Sequence, residues 1–178
     1  GFFDVSERGT VEVLPRGPGG PAVDLRELVG DLSRRGLRTP LLIRFSDILA
    51  SRVQGIAKAF EGTIGEYEYR GHFRGVYPIK VNQQRSVVET LVDHGAGRVG
   101  LEAGSKPELL AVIALAPNDV PIVCNGFKDD KFIETAMLAQ KVGRQIFVVA
   151  ENYADIGLIL DCAERIGVPP LIGIRVKL

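Results

Sequence analysis

Six places in the chain put charged, amide or hydroxyl side chains directly after an apolar, strand-like run. They are Arg44 and Ser46, Lys80 and Asn82, Glu102 and Ser105, Asn125 and Lys128, Glu151 and Asn152, and Arg175 and Lys177. In parallel α/β proteins ligands bind at such strand ends. Loops are polar in any case, and Ser105 and Asn152 also suit helix caps, so each residue taken singly is equally well explained by its position. Lys80 stands apart. In Val76-Tyr77-Pro78-Ile79-Lys80-Val81, strand alternation puts Val76, Pro78 and Lys80 on one face, which in a barrel points inward. An ammonium there costs several kcal/mol unless it is paired or neutralised. A desolvated lysine answers with a lowered pKa, and the neutral amine is a nucleophile towards carbonyls, which is Schiff-base chemistry. The competing reading is a lysine just past the strand end, extending into solvent. Pro78 removes a ladder donor, so the strand is expected to be irregular immediately before this lysine.

Glu102 and Arg175 are its natural electrostatic companions. A carboxylate at the mouth of one strand and a guanidinium at the mouth of another could contact a cofactor, or could pair with each other as a structural ion pair. His72 and His94 lack metal-ligand spacing, and His94 ends a helix before Gly95, where it complements the dipole. Cys124 and Cys162 form no CxxC, so neither a zinc site nor a disulfide framework is expected.

The elements that position these residues alternate along the chain. Phe2–Val5 and Thr10–Val13 read as a β-hairpin around Ser6–Gly9. Arg16–Pro21 holds three glycines and two prolines and is a loop, without the strand context of a dinucleotide or phosphate loop. Asp24-x-x-Glu27 opens a helix striped by Leu25, Leu28, Val29 and Leu32 and stopped at Gly36. Apolar runs then centre near Ile43, Tyr77, Val99, Val123, Val148 and Ile174, with helical patterns between them. Ser105-Lys106-Pro107-Glu108 reads as a capping box with proline in the first turn, and Gly143 and Gly167 end later helices. Six strands alternating with helices imply a parallel sheet with right-handed crossovers. The even units favour a (β/α) barrel over an open doubly wound sheet, although periodicity alone does not separate them.

The composition fits this class. Among 178 residues, 22 Lys and Arg balance 22 Asp and Glu, so the phosphate-tracking basic excess of a nucleic-acid binder is missing. With 46% hydrophobic and 25% charged residues the chain is globular rather than disordered. The longest apolar stretch, Leu109–Ala116, is too short to span a bilayer, so no membrane role is expected. The chain starts at Gly1, has Met137 as its single methionine and stops at Leu178 in an apolar stretch, and is read as a piece of a longer protein.

Several blocks carry a resemblance. Gly75-Val76-Tyr77-Pro78-Ile79-Lys80-Val81-Asn82-Gln83-Gln84, Gly100-Leu101-Glu102-Ala103-Gly104-Ser105-Lys106-Pro107-Glu108-Leu109, Ile122-Val123-Cys124-Asn125-Gly126-Phe127-Lys128-Asp129 and Gly173-Ile174-Arg175-Val176 resemble the biosynthetic arginine decarboxylases. These are pyridoxal-phosphate enzymes of the alanine racemase/ornithine decarboxylase fold type. Gly1–Val5 and Leu41–Phe45 fit the same family, so the likeness covers essentially the whole chain. It implies an α/β fold: a partial (β/α)8 TIM-type barrel, about six of eight strands, preceded by an N-terminal hairpin of a β-domain. The expected division is 1–20 for the hairpin and loop, and 21–178 for the truncated pyridoxal-phosphate-binding barrel.

The resemblance further implies that Lys80 forms the internal aldimine with pyridoxal 5′-phosphate. L-arginine would displace it, lose CO₂ and be protonated to agmatine, with the cofactor as electron sink. The implied cofactor-binding set is Lys80, Glu102, Asn125 and Arg175. Magnesium is implied by resemblance only, with no metal ligand assigned. The full-length protein would be a cytoplasmic enzyme of polyamine biosynthesis and at least a homodimer. The phosphate loop, the ring-stacking residue and the partner of the pyridine nitrogen are expected beyond Leu178, so the isolated chain is expected neither to decarboxylate arginine nor to hold the cofactor tightly. Two alternatives stay open: a single-domain pyridoxal-phosphate carrier without decarboxylase activity, and a non-catalytic open-sheet domain with Lys80 in solvent.

Overall fold

A computed structural model describes residues 1–176, which form two compact units, one over Gly1–Gly55 and one from Ile56 onward. Lys177, expected beside Arg175 at a strand end, lies outside the described residues.

In the first unit, β1 (Phe3–Val5) and β2 (Val11–Val13) pair antiparallel with Phe3 opposite Val13 and Val5 opposite Val11. The hairpin turn is closed by Ser6 and Thr10, whose hydroxyls lie 2.7 Å apart. A short β3 (Val23–Asp24) adds to β2, so the hairpin becomes a three-stranded sheet. Asp24 ends that strand and caps α1 (Leu25–Arg34), its Oδ1 accepting from the Arg26 and Glu27 amides at 2.8 and 3.1 Å. Gly36, at φ 87°, takes the left-handed turn that stops the helix, as the sequence predicts. α2 (Ser46–Glu66) begins in this unit and runs on past its last residue, Gly55.

The run at Leu41–Phe45 is not a strand. Its exposure alternates, but no strand among the described residues pairs with it. Alternation records burial, whereas a strand exists only where a neighbouring edge completes its ladder. The parallel strands therefore number five among the described residues, not six.

These five belong to the second unit: β4 (Gly75–Pro78), β5 (Val99–Ala103), β6 (Ile122–Cys124), β7 (Ile146–Ala150) and β8 (Leu171–Ile174). They alternate with α3 (Arg85–His94), α4 (Lys106–Leu115), α5 (Asp130–Lys141) and α6 (Tyr153–Ile166). The spatial order is β4-β5-β6-β7-β8, every pair parallel. That order decides between the two architectures. A doubly wound sheet reverses its strand order at a switch point, whereas a barrel adds each strand beside the last. The helices agree, since α3 packs on α4, α4 on α5 and α5 on α6, one row over one face.

The helix-covered face supplies the core. Leu101, Ala103, Ile122, Cys124, Ile146 and Val148 are fully buried against Leu109, Val112, Phe132, Ile133, Met137 and Ile159. Each large side chain buried here contributes about 1.5–3 kcal/mol relative to exposure. The opposite face, with Glu102, Val123, Phe147 and Val149, is only half-buried.

The helix ends are fixed by polar groups. Asn152 and Asp155 form a full reciprocal capping box on α6, and Arg144 donates to the last carbonyls of α4, including Ile113 O at 3.0 Å. The box expected at Ser105 is incomplete. Ser105 makes no capping bond, and Glu108 Oε2 accepts instead from the Gly104 amide at 2.7 Å, one residue earlier.

Candidate cofactor site

The carboxyl ends of the second unit's strands enclose a cleft of about 530 Å³ lined by Lys80, Glu102, Gly104, Glu108, Asn125, Gly126, Val149, Ile174 and Arg175. The four residues implied to bind a cofactor therefore line one cavity, although they come from four different strand ends. Its size falls within the range of small-molecule pockets.

Lys80 reaches this cleft differently from the expectation. β4 stops at Pro78, and Ile79–Val81 form a single 3₁₀ turn, so Lys80 is not a strand residue. Pro78 cannot donate to a ladder, and the chain turns directly after it. The turn buries Ile79 in the core and leaves the Lys80 side chain 65% exposed. The dry, inward-facing amine deduced from alternation is corrected: Lys80 sits at the open mouth, and its surroundings are set by charge rather than by burial. Its Nζ stands 4.0 Å from Glu102 Oε1, whose side chain is 19% exposed.

Arg175, just past β8, continues the ladder by donating its backbone N–H to Ala150 O at 3.0 Å. Its Nη1 donates to Glu151 Oε1, also at 3.0 Å. A Glu102–Arg175 ion pair is not formed: Glu102 faces Lys80 and Arg175 faces Glu151. Of the five donors on a guanidinium, this contact uses one.

Glu151 also accepts from the Gly126 amide at 2.9 Å. That amide and the Arg175 guanidinium hold its carboxyl below the ordinary carboxylate range, with help from the nearby Lys128 charge. Lys128 is buried, and its Nζ donates to Gly126 O at 2.6 Å. Asn125 and Gly126 form the rim after β6. Gly126 lies at φ 82°, and a Cβ there would stand 3.0 Å from Gly104 O, so the turn admits only glycine without strain. Asn82 does not line the cavity and accepts from the Gln84 amide through Oδ1 at 3.1 Å. Arg44 and Ser46 belong to the first unit, whereas the cleft is built from the second. Cys124 lies beneath the rim with its thiol pushed up to about 12 by burial, which makes it inert.

Glu151 and Lys128 are visible in the sequence only as polar strand-end residues. Their partners are the Gly126 amide and carbonyl, the first of them 25 residues away from Glu151, and no side-chain pattern reports a backbone partner at that separation.

The lining pairs an amine that can condense with an aldehyde with a guanidinium and an amide that can meet a polar or anionic substituent, beside the carboxylates of Glu102 and Glu108. The comparisons agree. Residues 53–178 match the family described as pyridoxal-dependent decarboxylase, pyridoxal binding domain. The chain belongs to that family. It is 51% identical over 181 residues to the biosynthetic arginine decarboxylase of Gloeobacter violaceus, covering 99% of this chain and 28% of that protein. The corresponding protein of Pseudomonas aeruginosa is 47% identical over 178 residues, covering 100% of this chain and 28% of its own length. The crystal structure of the biosynthetic arginine decarboxylase from Campylobacter jejuni superposes with a TM-score of 0.88 at 34% identity, over 99% of this chain and 30% of that one. The chain thus spans a little over a quarter of the length of these relatives. With this likeness, the five sequential strands and their helices are part of a (β/α) barrel, preceded by an antiparallel sheet.

Among the described residues, no helix is long and apolar enough to cross a membrane, and no group of three or more His, Cys, Asp or Glu side chains is disposed to hold a metal ion.

Proposed function

We propose that this chain is the pyridoxal-binding portion of a cytoplasmic arginine decarboxylase of polyamine biosynthesis, which converts L-arginine to agmatine and CO₂ with pyridoxal 5′-phosphate. The observation that carries this reading is the convergence of the Lys80 amine, the Glu102 carboxylate and the Arg175 guanidinium on one cleft, in a chain alike along its whole length to proteins named biosynthetic arginine decarboxylase. When bound, the cofactor supplies an electron sink for the pair left behind as the α-carboxylate departs.

The chain's own residues hold and orient. Lys80 is the attachment amine, presented on a short turn whose Ile79 is anchored in the core. Glu102 places a carboxyl oxygen 4.0 Å from that amine and orients it towards the cleft. Arg175 offers its remaining guanidinium donors to an anionic or ring substituent, and Asn125 offers a neutral amide on the rim. The active protein is a homo-oligomer, at least a dimer. No group of three or more metal-ligating side chains stands together among the described residues, and no residue is assigned to magnesium.

The likeness to decarboxylases over 99% or more of the chain, antiparallel N-terminal sheet included, favours this reading over a pyridoxal-phosphate carrier. Incubation of the natural protein with L-arginine and cofactor separates the two. The expected result is agmatine and CO₂ in equal amounts, and neither from the Lys80→Ala protein. Agmatine at an unchanged rate from that variant, or none from the natural protein, contradicts the proposal.

A further inference from the structure

We propose that Glu151 is the positioning residue of this cleft, holding the Gly126 turn and the Arg175 guanidinium together so that the rims after β6 and β8 meet the cofactor in one fixed arrangement. The proposal rests on the assignment of the cleft to pyridoxal phosphate.

A single oxygen makes both contacts: Glu151 Oε1 accepts from the Gly126 amide at 2.9 Å and from Arg175 Nη1 at 3.0 Å. The backbone that carries it is itself fixed. The Glu151 amide donates to Oδ2 of the buried Asp155 at 2.8 Å, and Asp155 belongs to the capping box of α6. The following peptide is gripped as well, where the buried Lys128 Nζ donates to the Gly126 carbonyl at 2.6 Å. An anion on the N–H of the 125–126 peptide and a cation on the C=O of the 126–127 peptide fix both planes that meet at the Gly126 Cα, and the left-handed φ of 82° admits few alternatives.

The consequence concerns Arg175. An arginine one residue past a strand end has many rotamers, and immobilising it on binding costs affinity. Glu151 fixes the guanidinium beforehand, and a fork held by an ionised carboxylate keeps its orientation better than one held by water. An ordinary exposed ion pair adds little to stability, so a purely structural role predicts small effects everywhere. A positioning role predicts a loss concentrated in cofactor affinity.

The test uses the natural protein stripped of cofactor. Pyridoxal-phosphate affinity is measured by spectroscopic titration for Glu151→Gln, Glu151→Asp, Arg175→Gln and the Glu151→Gln/Arg175→Gln double variant. The Tm and the Gly126 amide exchange of each apo-protein are measured in parallel. Gln keeps an acceptor for the Gly126 amide but loses the charge on Arg175. We expect Glu151→Gln to weaken binding about tenfold with the apo Tm and Gly126 protection kept. The double variant should then bind within about twofold of Arg175→Gln alone, because the two residues act through one contact. Unchanged affinity in Glu151→Gln, losses that multiply in the double variant, or losses that follow a fall in apo Tm in both Glu151 variants each overturn the proposal. Borohydride trapping of the cofactor in Lys80→Ala separates the underlying reading: trapping at the natural level sinks the assignment of the cleft itself. Abolished trapping beside unchanged Glu151→Gln affinity sinks only the role of Glu151.

Discussion

Lys80 Nζ lies 4.0 Å from Glu102 Oε1, although the β4–β5 register sets Pro78, not Lys80, opposite Glu102. The 3₁₀ turn after Pro78 folds the lysine back towards the strand end, so amine and carboxylate meet at the mouth of the sheet. With the lysine side chain 65% exposed, solvent screens the pair, and its contribution to stability is at most about 1 kcal/mol. Glu102→Gln should therefore move the denaturant midpoint very little while lowering the yield of cofactor bound at Lys80. A large loss of stability with cofactor binding intact would reverse the assignment of Glu102 from site to scaffold.

Gly126→Ala should be costly for a residue on a rim. At φ 82° a side chain costs roughly 1–2 kcal/mol, and the new Cβ would stand 3.0 Å from Gly104 O. The turn has to shift, and the amide that binds Glu151 shifts with it. Chemical denaturation and cofactor titration should both register the change. Alanine accommodated with neither affected would show that the turn is not fixed as described.

Glu134 in α5, which does not line the cleft, accepts from Lys131 Nζ at 2.7 Å and Arg165 Nη1 at 2.8 Å. These two cations pull its carboxyl from an ordinary 4.5 to about 2. A carboxyl depressed in the folded state stabilises fully above its unfolded pKa and loses that contribution as pH falls through the folded value. Glu134→Gln should lower the urea midpoint at pH 7, by an amount that shrinks below pH 4.5 and disappears near pH 2. Because both cations are exposed, about 1 M salt should also erase most of the difference. A deficit independent of both pH and salt would assign the effect to packing.

Much of the architecture is legible in local residue patterns, because it depends on neighbours in the chain. Asp24 caps α1, Gly36 and Gly167 turn left-handed after their helices, and β5 to β8 coincide with apolar runs. Leu41–Phe45 misleads for the complementary reason: alternation is local, but a ladder partner is not. Lys80 shows the same boundary within two residues. Period-two reasoning carried past Pro78 puts the amine inside the sheet, whereas the chain changes to a 3₁₀ turn where the proline ends the ladder. The residues lining the cleft are visible as strand-end polar groups. The pairing among them is not, since Arg175 meets Glu151 rather than Glu102 where the β7–β8 ladder sets it beside Ala150.

The central claim is that Lys80, among the lysines of this chain, is the amine that takes the cofactor. The natural protein, loaded with pyridoxal phosphate, reduced with borohydride and digested, should carry the phosphopyridoxyl mass on the peptide containing Lys80. Mapping of that mass to Lys128, Lys106 or any other lysine, or its absence from every peptide, would contradict the account.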